Sequence, residues 1–211
     1  MKFRALFNPE SWLWRPLGYL GDLVMLSLLW AVFSVPIVTL GPASAALYDT
    51  AVHSIRRKED TVIARFLSTF KRELKQGVLS TLLVLGLSAL FFFAPLLIFT
   101  RQTDWPVLLA VWVLLAFFLL CFLCWLWPVL SRFSMGFRAL HVNALRLSFG
   151  YILRSAAMAV VWGLTLYAGL RFIAPLFVCP ALASLLSSTL IEPVFGRYEE
   201  QSTPLDESGK V

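Results

Sequence analysis

The chain has 211 residues, 59% hydrophobic and only 14% charged, with a formal net charge of +6. Soluble domains run at about 45–50% apolar and about 25% charged, and a body of this size cannot hide so large an apolar excess from water. Composition therefore excludes an ordinary soluble enzyme, a disordered protein and a disulfide-stapled module, and predicts an all-α, polytopic integral membrane bundle.

Residues 1–22 mix Phe3, Leu6, Phe7, Trp12, Trp14 and Leu17 with Lys2, Arg4 and Arg15 around Asn8-Pro9. This pattern predicts an interfacial N-terminal segment. The apolar run after it is too long for a signal peptide and lacks a small-residue cleavage site, so no cleavable leader is expected. A transmembrane domain is expected over 23–191. Its spans should lie in the longest stretches free of Asp, Glu, Lys and Arg: Leu23–Tyr48, Gln76–Thr100, Trp105–Ser131, Ser155–Leu170 and Phe172–Ile191. A spanning helix needs about 20 apolar residues.

The first stretch is interrupted by Pro36 and by Gly41-Pro42. It reads either as one kinked span or as a short hairpin that crosses over Leu23–Leu40, turns at Gly41-Pro42 and returns over Ala43–Ile55. The last two stretches, parted by Arg171 with Pro175 close by, read as two helices joined by a tight turn. Lysine and arginine weigh the first choice. Six segments place sixteen of them inside and two outside, whereas five segments place thirteen inside and five outside. The positive-inside rule thus favours six, with the N-terminus, the basic loops and the tail all cytoplasmic. Trp105 is expected at the outer interface, Trp125 and Trp127 near the inner one, and Trp30, Trp112 and Trp162 in helix packing.

Two loops carry amphipathic patterns. Over Asp60–Lys75, the residues Val62, Ile63, Phe66, Leu67, Phe70 and Leu74 fall on one helical face. That predicts a helix on the inner leaflet with basic residues toward anionic lipid; the rival reading is a docking helix for a cytoplasmic ATPase. Arg65, Phe66, Phe70, Lys71, Arg72 and Lys75 are its candidate partner or lipid contacts. Over Phe133–Tyr151, the stripe is Phe133, Phe137, Leu140, Ala144, Leu147 and Tyr151. The last helix is expected to stop at Glu192-Pro193, leaving 192–211 as a cytoplasmic, mostly disordered tail.

Chemistry-bearing residues are few. Asp49 and His53 stand at i and i+4 on one helical face, a candidate functional polar pair; the plainer reading is a hydrogen-bonded pair that packs the helix. Cys121, Cys124 and Cys179 lie in apolar stretches and read as small hydrophobes rather than a disulfide or zinc set. Gly163, Gly169, and Gly86 with Ser88 offer small surfaces for close helix packing. No catalytic, cofactor-binding or metal-binding constellation is present, and the basic excess follows membrane topology rather than nucleic-acid binding.

The run Gly21-Asp22-Leu23, Leu29-Trp30, Val35-Pro36-Ile37-Val38-Thr39-Leu40-Gly41-Pro42 and Ala46-Leu47-Tyr48 resembles the YesL family, a bacterial membrane family of unknown function. Asn8-Pro9, Phe66, Phe70-Lys71, Lys75-Gln76, Pro128, Phe133 and Asn143-Ala144-Leu145 extend the resemblance to roughly residues 5–190. Members of that family are often encoded beside sugar ABC-importer components and polysaccharide-degrading enzymes. The resemblance thus implies a non-enzymatic accessory subunit of a carbohydrate ABC importer, without cofactor, that contacts the lipid bilayer, the permease subunits and their ATPase. The alternatives are a stand-alone small transporter and a membrane regulator of sugar uptake. The permease signature of ABC importers is absent from this chain.

Overall fold

The computed structural model describes residues 14–99, 105–172 and 177–202. The described residues form seven helices: α1 (Trp14–Ser34), α2 (Leu40–Thr50), α3 (Val62–Phe99), α4 (Trp105–Arg132), α5 (Phe137–Gly150), α6 (Ile152–Arg171) and α7 (Cys179–Ser202). No strand occurs among them. Four segments are long and apolar enough to cross a membrane: Val62–Phe91, Leu109–Arg132, Ile152–Gly169 and Cys179–Arg197; Gly18–Ser34 is a shorter apolar helix. The protein is a multi-pass, all-helical membrane bundle.

The first stretch does form a hairpin, but its turn lies earlier than the expected Gly41-Pro42. Helix α1 ends at Ser34, the chain bends at Val35-Pro36, and a 3-10 turn over Ile37–Thr39 leads into α2. The two prolines behave differently because of where they fall. Pro36 lacks the N–H that would continue α1 and disfavours helix at Val35. Pro42 is the third residue of α2, where backbone N–H groups have no intrahelical acceptor anyway. Thr39 closes the bend, its Oγ1 donating to the carbonyls of Phe33 (2.6 Å) and Pro36 (2.7 Å).

Every residue from Gly41 to Thr50 is buried. Helix α2 is the centre of the bundle, packed by α1, α3, α4 and α7, so protein rather than lipid surrounds it. Its glycine, alanines and serine let neighbouring backbones approach. The closest approach is a seam with α3. The Gly41 N–H donates to Thr81 Oγ1 (3.0 Å), and Thr81 Oγ1 donates to the Gly77 carbonyl (2.8 Å). Gly77 and Thr81, four apart, make a small-residue face on α3. Gly86 and Gly163, by contrast, have open space around them. Within the chain, Gly41 and Gly77 are glycines that neighbouring helices approach closely, whereas Gly86 and Gly163 are not.

The start of α2 meets α3 at Thr81 and α4 at Trp127. From Thr81, α3 runs on to Phe99, about 27 Å further at 1.5 Å per residue. That far part of α3 and α4 is held by Phe91 stacked on Trp112 (5.2 Å between centroids) and by the Trp112 indole donating to the Phe91 carbonyl (3.3 Å). Among the described side chains there, Leu90 is 70% and Val107 66% exposed.

The segment Asp60–Lys75 is not a separate helix lying on a leaflet. Val62 onward is the start of the 38-residue α3. Its stripe turns inward: Val62, Phe66 and Phe70 are buried, and both phenylalanines pack on Phe33 (5.6 and 4.8 Å), while Ile63 and Leu74 stay exposed. The second stripe holds as expected: Leu140, Ala144 and Leu147 of α5 are buried. A break at Tyr151 (φ −123°, ψ 49°) then starts α6. Trp125, expected at an interface, is fully buried, and its indole donates to Ser155 Oγ (2.7 Å), which itself donates to the carbonyls of Ser148 (3.0 Å) and Tyr151 (3.0 Å). Replacing Ser155 by alanine strands that indole N–H and will cost about 1–3 kcal/mol, read as a lowered thermal midpoint in detergent; Ser134→Ala, on an exposed side chain, should change little.

Helix α7 passes through Glu192-Pro193 to Ser202, beyond the expected stop. The tail beginning at 192 is thus helical over its first part. Residues 203–211, and the N-terminal residues 1–13, lie outside the described residues. Cys121 and Cys124 are buried free thiols.

Candidate functional site: a carboxylate clasp on the central helix

Asp49 sits on α2 with 3% of its side chain exposed, and among the described residues it is the one acidic or basic side chain that is buried. Its carboxylate is surrounded by donors. Arg65 on α3 grips both oxygens, Nε to Oδ2 at 2.5 Å and Nη2 to Oδ1 at 3.1 Å. Thr69, one helical turn further, donates to Oδ2 at 2.6 Å. His53 Nδ1 lies 3.1 Å from Oδ1 and 3.0 Å from the Asp49 carbonyl. Both neighbours are acceptors, which assigns the hydrogen to Nδ1. Arg65 extends the chain of charges through Nη1 to Asp60 (3.2 Å).

This two-pronged arginine grip is the strong form of an ion pair. A carboxylate this deep needs it, since an unpaired charge in a poorly polarisable interior is costly. Both oxygens are taken by groups of the same chain. The arrangement is a clasp between α2 and α3.

Just past Asp49 the helix widens. Ala51–Arg56 is π-helical, with the Arg57 N–H bonded to the Val52 carbonyl (3.0 Å). It ends where Glu59 N–H reaches the His53 carbonyl (2.9 Å) and Lys58 takes φ 58°, a left-handed backbone. The wide turn sends two consecutive arginines to α7. Arg56 reaches the Ser188 carbonyl (3.4 Å), and Arg57 reaches Glu192 Oε2 (3.1 Å). Tyr48 donates to the other Glu192 oxygen (3.2 Å). Glu192, expected only as a helix stop, therefore anchors α7 to α2. Because Arg57 is 40% exposed, solvent screens that pair. Arg57→Gln is expected to cost under about 1 kcal/mol, measurable as a small shift in the thermal midpoint. A third tie joins α3 to the end of α4: Arg72 donates to the Ser131 carbonyl (3.0 Å), placing a cation at a helix C-terminus, and Gln76 donates to the Met135 carbonyl (2.9 Å).

The expected pair Asp49 and His53 is thus in contact, with Asp49 buried and His53 partly buried. The six residues read as an outward contact surface divide. Arg65 is spent on Asp49, and Phe66 and Phe70 are in the core. Only Lys71, Arg72 and Lys75 remain exposed. Arg65 and Thr69 as partners of Asp49 went unread in the sequence: both stand on another helix, and an arginine in a basic amphipathic stretch looks like a lipid contact. Among the described residues, no group of three or more His, Cys, Asp and Glu gathers into a metal-sized cluster.

Residues 23–94 match the model of a family described as a protein of unknown function, DUF624. The uncharacterized protein YesL of Bacillus subtilis (strain 168) is 33% identical over 120 residues, which is 55% of this chain and 56% of that relative. The chain thus spans about half the length of the curated relative it matches. No solved structure matches it. The matched segment holds both halves of the Gly41–Gly77 seam and the whole Asp49–Arg65–Thr69 clasp, and these matches support membership of the YesL family.

Proposed function

We propose that this protein is a non-catalytic accessory subunit of a carbohydrate ABC importer, seated in the bacterial cytoplasmic membrane with its basic end and C-terminus in the cytoplasm. The observation that carries the reading is the uncovered apolar surface of the far part of α3 and α4, where Leu79, Leu82, Leu87, Leu109 and Leu114 are each about half exposed or more. Among the described residues, Phe91 stacks on Trp112 there, while these exposed leucines offer helix faces to the spans of a permease. The clasp adds support: its carboxylate is spent on holding helices together, so it offers no free acid for proton-coupled transport. At the basic end, exposed Lys71, Arg72 and Lys75 suit contact with an ATPase or anionic lipid. The carbohydrate and the importer come from the family resemblance.

The test is a mild-detergent pull-down of the tagged full chain from its host, with crosslinking before extraction. Near-stoichiometric recovery of permease subunits and an ATPase is the expected result. An importer that assembles, transports at wild-type rate and never crosslinks to this chain would end the proposal. Cytoplasmic placement is checked separately: a cysteine substituted at Lys58 should react with an impermeant maleimide in inverted vesicles and not in intact cells.

A further inference from the structure

A cavity of about 220 Å³ lies between α1, α2, α4, α6 and α7, away from the clasp. Three indoles form its walls, Trp30, Trp127 and Trp162, and three serines face it, Ser44, Ser184 and Ser187. It exceeds the roughly 150 Å³ apolar cavity that admits benzene. Leu40, 37% exposed, and the half-buried Leu120 and Leu123 complete the lining, so its edge meets the apolar outer surface of the bundle.

Two of the hydroxyls are unspent. Ser44 accepts from the Trp30 indole (3.2 Å). Ser184 and Ser187, 1% and 3% exposed, have no hydrogen-bond partner. Serines in helices commonly donate back to the preceding turn, and their neighbours do so: Ser188 to the Leu185 carbonyl and Thr189 to the Leu186 carbonyl, each at 2.7 Å. Ser184 and Ser187 stand three apart on one face of α7, both at the cavity wall. A ligand that satisfied them would need one polar atom and an apolar remainder.

We propose that this cavity binds the hydrocarbon chain of a membrane lipid, with one hydroxyl or ester oxygen of that lipid on Ser184 and Ser187. A sugar ring does not fit the walls. It would stack on an indole, but most of its hydroxyls would be buried without partners, each losing its water at a cost. A lipid chain loses nothing of that kind and reaches the cavity from the bilayer. The assignment is independent of the importer reading.

The experiment uses the purified full chain in dodecyl maltoside with a diazirine-bearing dodecanol as probe, and maps the labelled peptides by mass spectrometry. Label is expected on Leu120–Pro128 and Ser184–Ser187, reduced at least tenfold by excess plain dodecanol; label on the exposed Leu109–Leu115 face should resist competition. Ser184→Phe, which fills the cavity, should abolish the competed label. Ser184→Ala with Ser187→Ala, which only removes the hydroxyls, should raise the half-saturating probe concentration at least threefold. Retained phospholipid detected by native mass spectrometry of freshly purified protein, and displaced by dodecanol, identifies the bilayer as the source. Cavity label that is not competed, or that is unchanged by both variants, overturns the proposal. So does competed labelling by a photoreactive hexose in place of the alcohol.

Discussion

Arg65→Leu is expected to destabilise the protein by about 3–5 kcal/mol, the range found when one partner of a buried ion pair is removed. The loss comes from Asp49 rather than from the arginine. Asp49 is nearly sealed from water, and without Arg65 its carboxylate keeps only Thr69 and His53 as partners. Asp49→Asn should cost less, because a neutral amide retains an acceptor for Arg65 and carries no charge to desolvate. Asp49→Leu combined with Arg65→Leu should recover much of the loss, since an apolar pair of similar size often matches a buried ion pair. The measurement is the midpoint of unfolding in sodium dodecyl sulfate for the two single variants and the double. If Arg65→Leu alone shifted stability by less than about 1 kcal/mol, the clasp would not be the tie between α2 and α3 described above.

Gly41→Val should also destabilise the protein. A Cβ at residue 41 would fall within bonding-like distance of Thr81 Oγ1, 2.6 Å from the Trp127 ring and 2.7 Å from the Gly77 carbonyl. The carbonyl is backbone of a long helix and cannot yield as a side chain tip would. Overpacking of this kind costs about 1–3 kcal/mol and sometimes more, and separating the helices also breaks the Gly41 to Thr81 hydrogen bond. Gly77→Ala should show the same direction, because its Cβ would meet Pro42 at 2.8 Å. Gly86→Ala and Gly163→Ala are the controls. Both positions are open and helical, so alanine should be neutral or stabilising by up to about 1 kcal/mol. Yield and thermal midpoint of the four variants in detergent check the set; equal loss at all four positions would mean that glycine flexibility, not the seam, is what matters.

The two results bear on one design. Helix α2 is short, central and made of small residues, and it is held to α3 at one end by backbone approach and at the other by charge. Its partner α7 is held by Tyr48, Arg56 and Arg57.

Composition and charge spacing by themselves determined that this is a helical membrane protein, because a bilayer admits only segments that satisfy their own backbone and expose apolar side chains. They left the first stretch open between one kinked span and a hairpin, and they marked the apolar stripe of α5, since a 3.6-residue period acts locally. What only the tertiary structure decided lies between helices. The sequence pattern marks Asp49 and His53 as neighbours, four apart on one helix, but nothing along the chain says that Arg65 turns inward to meet them. Pro42 looks like a turn until α2 is seen to begin just before it, and Glu192-Pro193 looks like a stop until Tyr48 and Arg57 are seen to hold Glu192 within a continuing helix. Gly41 and Gly77 are ordinary glycines in the sequence, and become a seam only where two backbones touch. The physical reason is the same in each case: local preference fixes which residues form helices, whereas the partner of a buried charge or of a missing side chain is chosen by packing, at distances along the chain over which no periodicity extends.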